Sequence, residues 1–124
     1  MSDLTPIEAR KIERLFGMGT GYVLDFTNST FKEFVRYSTG RDIYDRRYDY
    51  LSGSKANRLR AFWQVEANTI VGKLLDDLIS YSESTGPEVK ACRAIVARLL
   101  GTSAPEDSGN GAAKPGSTQP DLLA

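Results

Sequence analysis

Apolar residues along this chain recur mostly at helical spacing, and four amphipathic helices can be placed from the pattern. Ile12, Leu15 and Phe16 follow the i, i+3, i+4 rule behind Thr5-Pro6-Ile7-Glu8, a capping box with proline at the first helical position. Gly17 is placed to end that helix in the left-handed conformation. Thr30-Phe31-Lys32-Glu33 reads as a second capping box, opening a short helix with Phe31, Phe34 and Val35 inward and Gly40 as its stop. The third pattern is the most regular. Capped by Ser54, it carries Leu59, Phe62, Trp63, Ile70, Val71, Leu74, Leu75, Leu78 and Ile79, with no proline before Ser82. A helix of about 28 residues would be roughly 42 Å long, longer than a domain of this size is wide. It is therefore expected to bend or project, with Gly72 as the soft point. After Gly86-Pro87, the residues Val89, Cys92, Ile95, Val96, Leu99 and Leu100 form a fourth helix that ends at Gly101.

Two stretches do not fit this spacing. Gly21-Tyr22-Val23-Leu24-Asp25-Phe26 is apolar and β-prone, and is expected as an extended buried segment or one arm of a ribbon paired near Ile43-Tyr44. From Gly101 to Ala124 the chain is rich in Gly, Pro, Ser and Ala and is read as a flexible tail or linker. The expected fold is all-α. It comprises a four-helix domain over residues 1–100 with one long spine helix and a glycine-rich connection between its first two helices, and a disordered tail over 101–124.

Charge changes this picture little. The chain has 16 basic and 16 acidic residues, and three of the acids (Glu106, Asp107, Asp121) lie in the tail. The remaining small positive excess makes no strong electrostatic case for nucleic acid. No apolar run is long enough to span a bilayer, and the N-terminus lacks the pattern of a signal peptide, so a cytoplasmic, soluble protein is expected without membrane partners. Chemistry is narrowed further by the absence of histidine and the presence of a single cysteine, Cys92. Ser-His-Asp and Cys-His catalysis and most zinc sites are removed, and any metal would rest on carboxylates such as Asp25, Asp42, Asp45 and Asp49. Cys92 falls on an apolar helix face and reads as a buried structural thiol. No cofactor, catalytic residue or metal ligand is assigned, and the expectation is a protein that is not an enzyme.

Gly17-Met18-Gly19-Thr20-Gly21 raises the question of a phosphate loop. Such a loop follows a strand, opens a helix and usually ends in Lys-Ser/Thr. Here it follows a helix, no lysine comes next, and the following helix starts some ten residues later, so cap and tight turn is the preferred reading. Asn28-Ser29-Thr30 reads as the start of a helix and not as a glycosylation acceptor. In RDIYDRRYDYLSGSKANRLR, residues 41–60, tyrosines interleave with arginines in the way interfaces and single-stranded nucleic-acid surfaces use them. Asp42, Asp45 and Asp49 sit among them. The plainer reading is a loop pinned by local Arg–Asp pairs with tyrosines capping the core; the sharper one is a contact face made of Tyr44, Arg46, Arg47, Tyr48, Lys55 and Arg58. On the long helix, Arg58, Gln64, Glu66 and Asn68 include candidates for buried polar anchors, and the adjacent Asp76 and Asp77 point to different sides.

Taken together, LFGMGTGYVLDFTNSTFKEF (15–34) and DIYDRRYDYLSGSKANRLRAFWQVEANTIVGKLLDDL (42–78) resemble the N-terminal domain of AbiJ-type abortive-infection proteins. The shared elements are the "GYVLDF…TF..F" block, "SGSKANR.RAFW" and "VGKLL", in that order, over about residues 5 to 85. The resemblance implies a non-catalytic sensing or regulatory module of a bacterial antiviral system, coupled to an effector domain or another defence protein. No effector lies within these residues. The alternatives are a nucleic-acid-binding helical module using residues 41–60, a carboxylate-metal enzyme, and a homo-oligomerising domain.

Overall fold

The computed structural model describes residues 2–101; the tail expected over 101–124 therefore lies, but for Gly101, outside the described residues. Those residues form an all-helical fold with α1 (Pro6–Leu15), α2 (Asn28–Thr39), α3 (Lys55–Val65), α4 (Asn68–Ser82) and α5 (Pro87–Leu100), plus single helical turns at Met18–Thr20 and Arg46–Tyr48. No strand is present among them, so the 21–26 segment has no ribbon partner. It is instead an irregular turn, held by Leu24 N–H donating to the Phe16 carbonyl at 2.9 Å, that buries Val23 and Phe26.

The start of α1 follows the sequence pattern. Thr5 Oγ1 accepts from Glu8 N–H at 3.2 Å, while the Glu8 carboxylate accepts from Thr5 N–H at 3.0 Å. The second box is shifted by three residues. Thr27, and neither Asn28 nor Thr30, is the cap: it accepts from Thr30 N–H at 3.1 Å, and Thr30 Oγ1 accepts from Thr27 N–H at 2.9 Å. Thr30 thus fills the role given to Glu33, and Asn28-Ser29-Thr30 is the first turn of α2.

The long spine is two helices. At Glu66 and Ala67 the backbone turns extended, with ψ 159° and 161°, and α3 ends where α4 begins. The break turns the Glu66 carboxylate into the protein, where Tyr48 and Arg41 donate to it. Residues 2–5 strap across the same point: Ser2 donates to the Trp63 carbonyl, and Asp3 and Asn68 exchange hydrogen bonds of 2.7 and 2.9 Å. Gly72 is no hinge. It lies inside α4, where a Cβ would meet Leu100.

One core runs through all five helices, with Ile12, Phe16, Phe31, Val35, Leu59, Phe62, Leu74, Leu75, Leu78, Ile95 and Leu99 buried. The most extensive packing is between α4 and α5; α1 lies on α5 and α2 on α4. Phe26 stacks on Tyr81 at 4.5 Å between ring centroids, and Phe34 meets the same ring edge-on at 5.4 Å, tying α2 and the 21–26 turn to the end of α4.

At the ends of α1 and α5, Arg98 Nε donates to Glu8 at 3.0 Å. Burial works to raise the Glu8 pKa, but the Arg98 guanidinium and the Thr5 N–H together hold it below the usual carboxylate range. A lowered carboxylate contributes stability above its unfolded pKa, near 4.3, that is lost as pH falls through its folded value. Glu8→Gln is therefore expected to lower the urea midpoint at neutral pH and to match the parent in strong acid. An equal loss at both pH values would assign Glu8 a role independent of its charge.

Candidate functional site

The interleaved segment folds from its aspartates outward. Asp42 accepts from Tyr44 N–H at 2.9 Å, and Asp45 caps the turn Arg46–Tyr48 by accepting from Arg47 N–H at 3.0 Å. That backbone bond and the Arg47 side chain, 3.2 Å away, hold the Asp45 carboxyl below its ordinary range. The turn buries one residue and leaves its neighbours outside. Tyr48 goes inward and is 0% exposed, packed against Phe62 at 5.2 Å between centroids, with its hydroxyl donating to Glu66. Burial, reinforced by that carboxylate, pushes the Tyr48 phenol up. Glu66, only 7% exposed, also accepts from Arg41 Nε at 3.2 Å and has Arg47 at 4.0 Å.

Arg58 reaches back from α3 into this loop. Its guanidinium donates to the Ile43 carbonyl at 3.1 Å and to Asp49 at 2.8 Å, and lies over the Tyr44 ring at 4.7 Å. Its side chain is 14% exposed. Lys55 belongs to a different surface: it donates to Asn28 at 3.2 Å and sits 4.7 Å above the Tyr22 ring. Of the six residues read as one contact face, Tyr48 is thus buried, Arg58 is partly buried and turned into the loop, Tyr44 is half-buried and Arg47 faces Asp45. Lys55 is turned toward α2, and only Arg46 is exposed without an ion pair among the described residues.

The two glycine-bearing blocks meet. The Gly21 carbonyl accepts from Ala56 N–H at 3.0 Å and Ser54 Oγ from Asn57 N–H at 3.2 Å, so the start of α3 is filled by the chain's own acceptors. A phosphate loop offers free amides at a helix start; this junction has used them. The carboxylates also stay apart. Asp25 accepts from Tyr81, Asp42 lies near Lys32, Asp45 meets Arg47 and Asp49 meets Arg58. Among the described residues no group of three or more acidic or cysteine side chains is placed to hold a metal. Cys92 is buried on α5, and that burial raises its thiol pKa. Asp76 and Asp77 take separate partners, Arg93 and Lys73. No helix among the described residues is long and apolar enough to cross a membrane.

No family model, curated protein or solved structure matches this chain.

What remains at the surface beside the loop is a feature that helical spacing does not reveal. Leu51 is 80% exposed and sits at φ 52°, in the left-handed region that leucine rarely adopts. It stands at the tip of the turn Tyr50–Gly53, closed by Gly53 N–H donating to the Tyr50 carbonyl at 3.2 Å. Tyr50 also lines a cleft of about 430 Å³ between α1, α3 and the N-terminal strap, with Arg10, Trp63 and Gln64 on its other walls. The only sequence signal was an apolar residue outside every helical stripe, next to Ser52-Gly53-Ser54. This arrangement offers an apolar anchor near a cleft with mixed polar and apolar walls, a geometry suited to binding.

Proposed function

We propose that this chain is a non-catalytic sensing or regulatory interaction module of a bacterial abortive-infection system, coupled to an effector carried on a separate chain or a further domain. The observation that supports it most is Leu51. A non-glycine residue in the left-handed region costs on the order of 1–2 kcal/mol, and an exposed leucine gains almost nothing from burial in return. Strain without an internal reward is what a partner-binding tip carries. The resemblance of residues 15–34 and 42–78 to AbiJ-type N-terminal domains supplies the antiviral context.

The variant Leu51→Asn tests the reading, because asparagine tolerates this backbone. Its thermal stability is expected to equal or exceed the parent's. In cells carrying the full gene and its effector, phage plating is expected to rise to that of a deletion strain. Full protection by the variant, or a deletion that changes plating of no phage in a broad panel, would overturn the proposal. Nucleic-acid binding through residues 41–60 is the competing reading and has less geometric support, since Arg47 and Arg58 face Asp45 and Asp49. It requires an affinity for RNA or DNA that falls steeply with added salt.

A further inference from the structure

Among the described residues, a group of cations without ion pairs lies away from the tyrosine–arginine loop. Ile7, Arg10, Lys11 and Arg14 follow one another at i, i+3, i+4 and i+7 along α1, on the side opposite the buried Ile12 and Phe16. Helix α5 runs antiparallel beside α1: Arg98 meets Glu8 at one end, and Lys11 and Arg14 flank Pro87, Glu88 and Ala91 at the other. Those five residues line a hollow of about 180 Å³, and Lys90, which precedes Ala91 in the chain, is exposed on α5. Arg10, Lys11, Arg14 and Lys90 make no ion pair among the described residues. Elsewhere Lys32, Arg41, Arg47, Arg58, Arg60, Lys73, Arg93 and Arg98 each lie against a carboxylate, and Arg36, Arg46 and Lys55, which do not, are on other elements.

We infer that the α1–α5 face docks an acidic, amphipathic segment of a partner protein. Lys11 and Arg14 line the hollow against the single carboxylate of Glu88, with Arg10 and Lys90 on adjoining exposed surfaces. This excess of cations calls for a negatively charged partner. The hollow decides its class. Pro87, Ala91 and the aliphatic stems of Lys11 and Arg14 present carbon, and Ile7, 72% exposed, stands on the same side of α1. An acidic helix with aliphatic residues on one side supplies both carboxylates for the rim and a side chain for the hollow. A nucleic-acid backbone supplies charge but nothing for the apolar floor, and this face carries no aromatic ring on which a base could stack. The docking is independent of Leu51, which lies on another turn of the chain.

A direct test titrates the full chain with a synthetic helical peptide bearing leucines on one side and glutamates on the other, and separately with a DNA duplex, following backbone amide shifts. Peptide-induced shifts are expected at Lys11, Arg14, Lys90 and Ala91. The double variant Lys11→Glu, Arg14→Glu is expected to weaken peptide binding by about tenfold or more with an unchanged melting temperature. Three results would overturn the inference: a duplex that binds this face more tightly than the peptide, peptide shifts centred on residues 41–60, or a chain that self-associates until the double variant separates it. An unaltered peptide affinity in the double variant would do the same.

Discussion

Tyr48→Ala is expected to cost about 4 kcal/mol, the range for emptying a fully buried aromatic site, and to lower the melting temperature by roughly 15–30 °C in a domain of this length. The ring fills space against Phe62, and its hydroxyl is a donor to a carboxylate almost as buried as itself. Graded variants separate these contributions. Tyr48→Phe keeps the ring and leaves Glu66 one donor short, at about 1–3 kcal/mol. Glu66→Gln keeps one acceptor for the hydroxyl but puts an amide donor where the second oxygen accepts from Arg41, and removes the charge facing Arg41 and Arg47. Both arginines are well solvated and can turn to water, so this is expected to cost less than Tyr48→Ala. The alkaline limb gives a second readout. The phenol is raised by burial and then by Glu66, so the neutral form is favoured in the fold. Stability from this site is complete below the unfolded phenol pKa, near 10, and is lost as pH rises beyond it. Tyr48→Phe should flatten that loss. If Tyr48→Ala instead lies within about 1 kcal/mol of the parent, as surface substitutions do, the residue belongs to an outer contact face and the buried pairing is refuted.

The pairing also explains which parts of the structure were legible beforehand. Helices α1 and α5 are announced by local chemistry, a capping box with proline and a Gly-Pro start, and they begin where those signals lie. The α3–α4 break has no such signal. Val65-Glu66-Ala67-Asn68 holds neither proline nor glycine, and helical spacing of apolar residues continues on both sides. What sets the break is tertiary: Tyr48 and Arg41 approach the carboxylate from elsewhere in the chain, and Asp3 holds Asn68. The second capping box was misplaced because two overlapping four-residue frames compete, and the one starting at Thr27 makes the reciprocal pair. In the loop, alternating Arg and Asp made local pinning readable. Tyrosines capping the core belonged to the same plainer reading, but which of the three goes inward was not legible, because it depends on the short turn that Asp45 caps. Leu51 was invisible for another reason: nothing in a leucine's identity announces a positive φ.

Gly72 divides a hinge from a packing contact, and Gly72→Val is expected to cost about 2–3 kcal/mol by overpacking. A Cβ there would stand 2.7 Å from Leu100 Cδ2, 2.9 Å from its Cγ and 3.3 Å from Leu99 Cβ. Something must shift. Leu100 is only half-buried at the end of α5, so its side chain can swing away from a single methyl. For Gly72→Ala that swing is offset further by the helix propensity of alanine, about 1 kcal/mol better than glycine, and the net change should be small. Valine adds two γ-carbons in a stiff rotamer, and Leu99, buried, cannot yield. Truncating the neighbour should then recover part of the loss: in the double variant Gly72→Val, Leu100→Ala, the two costs should fall short of additive by about 1 kcal/mol, as expected for residues in contact. A hinge behaves otherwise. If Gly72 bent a continuous helix, its substitution would stiffen α4 whatever residue stood at position 100, and the double-variant cycle would show no coupling. Urea unfolding of the four proteins in that cycle distinguishes the two, and zero coupling would return Gly72 to the role of a flexible joint.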